Sequence, residues 1–300
     1  MRMPLEKKPL IVTVGEILWD CFPERKVLGG APYNLAYIAR QIGAEAVMVS
    51  RVGEDADGRA ILEAMAAKGM DRRFIQRDRR RPTGTVKVEL AAGGIPHFTI
   101  MEEVAYDFIE WTEPMAELAA RCDAICFGSL CQRNAASRAT ILRMVESAGR
   151  ALRVYDINLR QSFYSKEILA AGLARAQVVK MNDGEVETLK KLFPAEFRGG
   201  EAGFMKAFDI DLLAVTRGPD GCTLYRGAER ADVPGVKVAV CDTVGSGDAF
   251  TASMALSCLR KKALREIGAE ANLWGAYVAT QCGGTPNVDP KAVAELRARG

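Results

Sequence analysis

VKVAVCDTVGSGDAF, residues 236–250, reads as a strand ending near Val240, a turn of small residues and the opening of an apolar helix. The turn is Gly245-Ser246-Gly247, and Asp248 leads into Ala249, Phe250, Ala252, Met254, Ala255 and Leu256. The first turn of a helix presents backbone N–H groups with no intrahelical partner, and the helix dipole adds positive potential there, so the segment favours an anion. Glycine lets the backbone approach a phosphate with no side chain between them. A migrating phosphoryl group spreads negative charge over its oxygens, which such donors stabilise. Asp248, beside them, is placed to accept a proton from an attacking hydroxyl. The competing reading is a capped helix whose Asp248 only complements the dipole, and the glycines alone do not separate the two.

Away from this segment, short apolar runs alternate with helical patterns. Leu10–Val14, Ala46–Val49, Ala124–Phe127, Arg153–Ile157, Val178–Met181 and Leu212–Thr216 read as strands buried on both faces, which predicts a mostly parallel sheet. Helices are predicted over Leu35–Ile42, Asp57–Lys68, Asn134–Ala148, Asp183–Leu192, Gly247–Lys261, Glu266–Gln281 and Pro290–Ala298. The order predicts an α/β layered fold rather than separate domains. Thr85–Leu90 breaks the rhythm by alternating apolar and polar residues, Gly93-Gly94 makes a turn, and His97–Ile100 is extended again. That is a hairpin with one polar face, either an edge extension of the sheet or a lid over a site.

Ligands of open α/β sheets bind beyond the carboxyl ends of the strands. Asp20 follows the first strand, and its carboxylate can accept two hydroxyl hydrogen bonds from one polyol. Gly29 and Gly30 permit backbone contact with a ligand, and Asn34 offers both a donor and an acceptor. The plainer alternatives are a turn residue for Asp20 and a helix cap for Asn34. Arg160 follows the strand Arg153–Ile157 and can reach a substrate or a phosphoryl oxygen, or form a surface ion pair. Asn182 and Glu185 read equally as a cap and a first-turn acid.

Of the 300 residues, 49% are hydrophobic and 26% charged, ordinary for a globular enzyme with a large core. The formal charge of +3 gives no expectation of nucleic acid or membrane as a partner. The arginines of residues 72–81 read as a solvated loop. Eight cysteines show neither disulfide nor zinc spacing, and free thiols fit a reducing cytoplasm. No apolar signal core follows Met1–Pro9, and no run approaches membrane-spanning length. The single histidine, His97, removes mechanisms built on a histidine pair or a Ser-His-Asp set, and it reads as a surface residue of the hairpin. GxxxxGK[ST] and an early GxGxxG are both missing, which disfavours a P-loop enzyme and a dinucleotide-dependent oxidoreductase.

Asp242-Thr243-Val244-Gly245-Ser246-Gly247-Asp248-Ala249-Phe250 resembles the DTTGAGDAF signature of the PfkB (ribokinase-like) carbohydrate kinases, with Val244 and Ser246 in place of Thr and Ala. Gly29-Gly30-Ala31-Pro32-Tyr33-Asn34, preceded by Gly15-Glu16 and Asp20, is similar to the GGAPxN form of the fructokinases, with Tyr33 in place of the usual Ala. The likeness continues through Arg51–Asp55, Pro82–Thr85, Ala105–Asp107, Asp156–Arg160, Asn182–Glu185 and Thr216–Gly218. It implies one three-layer αβα unit over residues 1–300, with a mostly parallel central sheet and a small β lid contributed by about residues 18–30 and 83–105. It implies a sugar kinase using ATP and Mg2+, fructose being the first acceptor to test and ribose, 2-keto-3-deoxygluconate and nucleosides its rivals. A silent, regulatory relative is the alternative outside the enzymes. By the same resemblance, Asp248 is the base, Gly245, Ser246 and Gly247 stabilise the phosphoryl group, and Arg160 assists. Asp20, Gly29, Gly30 and Asn34 hold the sugar, and Phe98 in the hairpin reads either as a lid residue capping the sugar ring or as core or edge packing. Asn182, Glu185 (through water on magnesium), Thr216, Gly218 and Gly283 serve the nucleotide, and Asp242 a monovalent cation such as K+. The likeness also suggests a homodimer paired through the lid. Asn272 reads as a helix-surface residue in preference to a border of the adenine site.

Overall fold

The computed structural model describes residues 7–90 and 96–299. Its strands begin with β1 (Leu10–Val14), β2 (Leu18–Cys21), β3 (Lys26–Gly29), β4 (Glu45–Gly53), β5 (Ile75–Asp78), β6 (Thr85–Leu90) and β7 (Pro96–Ile100). They continue with β8 (Ala124–Gly128), β9 (Leu152–Asp156), β10 (Val178–Asn182), β11 (Leu212–Thr216), β12 (Cys222–Arg226) and β13 (Glu229–Val233). The helices are α1 (Ala31–Gln41), α2 (Ala56–Ala67), α3 (Glu113–Arg121), α4 (Ala135–Ser147) and α5 (Lys166–Leu173). After them come α6 (Asp183–Leu192), α7 (Gly200–Phe208), α8 (Ser246–Leu259), α9 (Leu264–Ala279) and α10 (Pro290–Arg299).

Nine strands form one sheet in the order β13-β12-β11-β10-β9-β8-β1-β4-β5, parallel from β11 to β5 and antiparallel at β12 and β13. Successive side chains of a strand point to opposite faces. On β8, Ala124 and Cys126 pack with the residues of α1, α8 and α9, whereas Ile125 and Phe127 pack with those of α3, α4 and α5. Helices therefore cover both faces, and the central strands are unbroken apolar runs for that reason. The architecture is the expected three-layer αβα fold.

A second sheet of four strands, β3-β2-β6-β7, joins the early pair to the hairpin, with β2 parallel to β6 and the other neighbours antiparallel. The hairpin is thus not an extension of the main sheet. Its Gly93-Gly94 turn and the side chain of His97 lie outside the described residues.

The expected strand before Val240 is not formed. Residues 234–240 are irregular, because Pro234 has no N–H to donate and Gly235 lies against the Pro219 carbonyl with no room for a Cβ. The period-two valines there line a cavity instead of joining a sheet. The hairpin of β12 and β13 was not anticipated, its outward residues being polar. Helix α1 starts at Ala31, not Leu35: Gly30, at φ 107°, turns the chain, and Pro32 suits a first helical turn. Asn34 is therefore buried inside the helix and is no cap. The cysteines are not all free: Cys241 and Cys282 are disulfide-bonded, their Cα atoms 5.9 Å apart. Within the arginine-rich loop, Arg73, Arg79 and Arg81 are paired with Asp71, Glu54 and Glu103. Among the described residues no helix is long and apolar enough to cross a membrane.

Candidate active site

Parallel strands all end at the same edge of a sheet, and here that edge collects the chemistry. β1 leads into Gly15-Glu16, β9 ends at Asp156 ahead of Asn158 and Arg160, β10 ends at Asn182 and β11 at Thr216. Helix α8 begins over the same edge. Its cap, Gly245, has φ 79° and lies so close to Gly284 that a Cβ would meet backbone, so glycine is required there.

Asp248, in the first turn of α8, accepts a hydrogen bond from Asn34 Nδ2 at 2.8 Å, which ties α1 to α8. Asn34 Oδ1 is buried with no partner among the described residues, leaving an acceptor for a ligand hydroxyl. Burial, helped by the Asp156 carboxylate, pushes the Asp248 carboxyl up to about 6; the Asn34 hydrogen bond, Lys180 and Arg160 restrain it. The three expected phosphate donors are not equivalent. Ser246 N–H donates to Thr243 O at 3.2 Å and is engaged in closing the turn. The Ser246 hydroxyl is buried and unpaired among the described residues, beside the neighbouring cavity.

Beneath the turn lies a network that sequence reading missed. Lys180, buried on β10, reaches Asp156 Oδ1 at 3.1 Å, and Thr251 of α8 donates to Asp156 Oδ2 at 2.7 Å. Burial alone would lower the Lys180 pKa, but Asp156, Glu185 and Asp248 together raise it, so it stays cationic. Its Nζ lies 3.2 Å from where a Gly247 Cβ would be, a positive charge directly under the turn. Lys180 is the one polar residue of the apolar run Val178–Met181, and that was the available signal.

At the acceptor end, Asp20 on β2 is paired with Val27 of β3, and its carboxylate leans over Gly29, where a Cβ would come 2.5 Å from Asp20 Oδ2. Burial, opposed by Arg160 and reinforced by Asp242 and Asp248, pushes Asp20 up to about 6. Gly30 passes over the Glu16 carbonyl, where a Cβ would come within 2.5 Å of the oxygen. Glu16 is buried with Oε2 unpaired among the described residues, and burial pushes its carboxyl up to about 7. Sequence reading took Glu16 only as part of a motif. Arg160 is exposed at this end, and its charge reaches Asp20, Glu16 and Asp248. Phe98, on β7 of the small sheet, is exposed, and its carbonyl accepts from Gln161 Nε2 at 2.6 Å. Tyr33 is fully buried in the core and does not narrow the acceptor end.

On the other side of the turn is a cavity of about 380 Å³, lined by Thr216, Gly218, Val236, Val238, Val240, Ser246 and Gly247, with Ala276 and Ala279 of α9. Asn272 also lines it; far from being a surface residue, it is buried and donates to Pro234 O at 3.0 Å. Asn182 and Glu185 form a reciprocal cap: Glu185 N–H donates to Asn182 Oδ1 at 2.8 Å, and Asn182 N–H to Glu185 Oε2 at 2.7 Å. Leu159 N–H donates to Glu185 Oε1 at 2.9 Å, so the same carboxylate also anchors the Arg160 loop. Asp242 accepts from Val244 N–H at 3.0 Å and Gly283 N–H at 3.3 Å. Gly283 thus belongs to the Asp242 loop and is not among the residues lining the cavity.

The family model of the pfkB carbohydrate kinases matches residues 12–291. An uncharacterized sugar kinase of Pyrococcus horikoshii, PH1459, is 30% identical over 303 residues, covering 93% of this chain and 94% of that protein. Its crystal structure agrees with a TM-score of 0.81 at 27% identity, over 97% of this chain and 99% of that one. It has also been solved in complex with ATP. Fructokinase-1 of Oryza sativa subsp. japonica is 29% identical over 320 residues, covering 97% of this chain and 98% of that protein. The fructokinase of Xylella fastidiosa, solved with bound ATP, shares the fold with a TM-score of 0.83 at 20% identity, over 96% of this chain and 97% of that one. With a carboxylate beside a glycine turn at the carboxyl edge of the sheet and a family match over nearly its whole length, the chain belongs to the pfkB family of carbohydrate kinases, phosphotransferases whose acceptor is an alcohol group.

Proposed function

We propose that the chain transfers the γ-phosphoryl group of ATP to the primary hydroxyl of a small sugar, D-fructose becoming fructose 6-phosphate. The observation that carries this reading is Asp248: an acid at the start of α8, held by Asn34 and raised to about 6, between an acceptor end and a nucleotide-sized cavity. Asp20, Gly29, Gly30 and Asn34 orient the sugar so that its terminal hydroxyl faces Asp248, which takes the proton as the new bond forms. The free N–H groups of the Gly245–Gly247 turn, with Lys180 below, stabilise the transferring charge. The apolar valines and alanines of the cavity suit a flat base, and Thr216 and Gly218 border it. Residues 1–300 act as one unit, and the small sheet closes over the sugar to exclude water, with Phe98 and Arg160 on that side.

Each Glu185 oxygen accepts one N–H and keeps a lone pair for a water, so the residue fits the outer shell of a magnesium ion. Magnesium bound there would neutralise charge on the phosphates. Asp242 likewise keeps acceptor capacity for a monovalent cation beside Gly283. Fructose is supported by the GGAPxN and GE-x-x-x-D strings and by the likeness to the rice fructokinase.

The test is ADP release with MgATP over a panel of fructose, ribose, 2-keto-3-deoxygluconate and nucleosides, with Asp248→Ala as the control. Fructose should be turned over best, and Asp248→Ala should lower kcat by about 10²–10⁴-fold with unchanged circular dichroism. A fully active Asp248→Ala enzyme would remove the base. No turnover of any acceptor would favour the regulatory alternative.

A further inference from the structure

The sequence places Cys241 and Cys282 far apart, yet the fold joins them across 41 residues, and both are exposed. The other six cysteines are free and buried or half-buried. The bond clasps two segments that shape the site from opposite sides. Cys241 immediately precedes Asp242, and its N–H donates to Ala279 O at 2.8 Å, at the end of α9 that lines the nucleotide-sized cavity. Cys282 immediately precedes Gly283, which donates to Asp242. Gly284 then packs against Gly245 of the turn, and a Cβ on Gly284 would lie 2.7 Å from Asn34 Nδ2, the group that holds Asp248. The path from the sulfurs to the turn and the base is therefore short, running through Asp242, Gly283, Gly284 and the Asn34 amide.

We propose that Cys241 and Cys282 form a thiol–disulfide modification site that sets nucleotide affinity, with a dithiol reductant as its substrate class. This inference rests on reading the cavity as the nucleotide site. A thiolate of the dithiol attacks one exposed sulfur, forming a mixed disulfide and releasing the other cysteine as a thiolate that takes up a proton. The second thiolate of the reductant resolves the mixed disulfide and frees the remaining cysteine. Two electrons and two protons pass to the protein, and the reductant leaves as its own disulfide; glutathione disulfide drives the reverse reaction. In the oxidised form the Asp242 and Gly283 segments are held together and the turn is pre-organised. Reduction leaves the Gly283–Asp242 hydrogen bond, the backbone hydrogen bonds to Ala279 and the Gly245–Gly284 contact to hold them, and ordering the two segments is then a cost of nucleotide binding.

The experiment poises the full chain with reduced or oxidised dithiothreitol, alkylates it, and reads the Cys241 and Cys282 peptides by mass spectrometry. MgATP binding is measured on the same samples by calorimetry. The expected result is a linked peptide pair in the oxidised sample, two alkylated peptides in the reduced one, and a Kd for MgATP higher by about fivefold or more after reduction. Cys282→Ser and Cys241→Ser should each show the weaker affinity under both conditions, while Cys258→Ser keeps the switch. Equal affinity in both states, or no linked peptide under oxidation, overturns the proposal. MgATP that binds neither form overturns the nucleotide reading and the switch with it, whereas a linked peptide with unchanged tight binding overturns the switch alone.

Discussion

Asp248 works as a base only when ionised, and its carboxyl has been pushed up to about 6 by burial and Asp156. The rate kcat/KM should therefore rise with pH through about 6 and level off near neutrality, read from initial rates across a buffer series. The Asn34 hydrogen bond favours the ionised form, so Asn34→Ala should move this acid limb to higher pH as well as weakening sugar binding. An unmoved limb would mean that another group titrates. Glu16 poses a stability question. Its carboxyl ionises near 4.5 in the unfolded chain and about 7 in the folded protein, so the folded state binds the extra proton between those values and stability falls as pH rises across them. Glu16→Gln carries no charge to bury, so it should melt at the same temperature as the parent near pH 4 and several degrees higher near pH 8 by calorimetry.

Helix α8 packs on the sheet through its apolar face and is also tied to it by Thr251, which donates to the Asp156 carboxylate that Lys180 holds. Lys180→Met leaves the Asp156 carboxylate buried without its cation and should cost about 3–5 kcal/mol in urea unfolding. Adding Asp156→Asn should recover most of that stability, because both charges are then gone. Activity should not return with it if Lys180 also acts on the phosphoryl charge through the Gly247 turn. Recovery of both together would reduce Lys180 to a scaffold role. The elements themselves were largely legible: β1, β11 and α6 have the predicted boundaries, since two-faced burial and a cap leave strong signals. Val236–Val240 was misread because period-two alternation is the same whether the valines face a sheet or a cavity.

At the scale of the whole molecule, the polar contacts of the four-stranded sheet with the main body include Trp19 and Lys26 to Asp57 and Gln161 to the Phe98 carbonyl. Gln161→Ala removes a hydrogen bond of about 1 kcal/mol and should raise the KM for the sugar about fivefold while the Kd for ATP stays the same. An ATP effect of equal size would place the sheet over the nucleotide instead. The global melting temperature should not change, since the bond is at the surface and the core is untouched.

From the sequence alone follow the αβα class, the strands of the parallel core, seven of the helices, and the turn with its acid, because these rest on local periodicity, capping and a short string of small residues. The tertiary structure decided what depends on distant partners meeting: Asn34 on Asp248 across 214 residues, Lys180 under Gly247, and Cys241 bonded to Cys282. It also brought the Leu159 N–H to the Glu185 carboxylate, which holds the Arg160 loop, and sent Asn272 inward. Proximity between residues remote in the chain is created by packing, and burial, which then shifts their charges, exists only once that packing is complete.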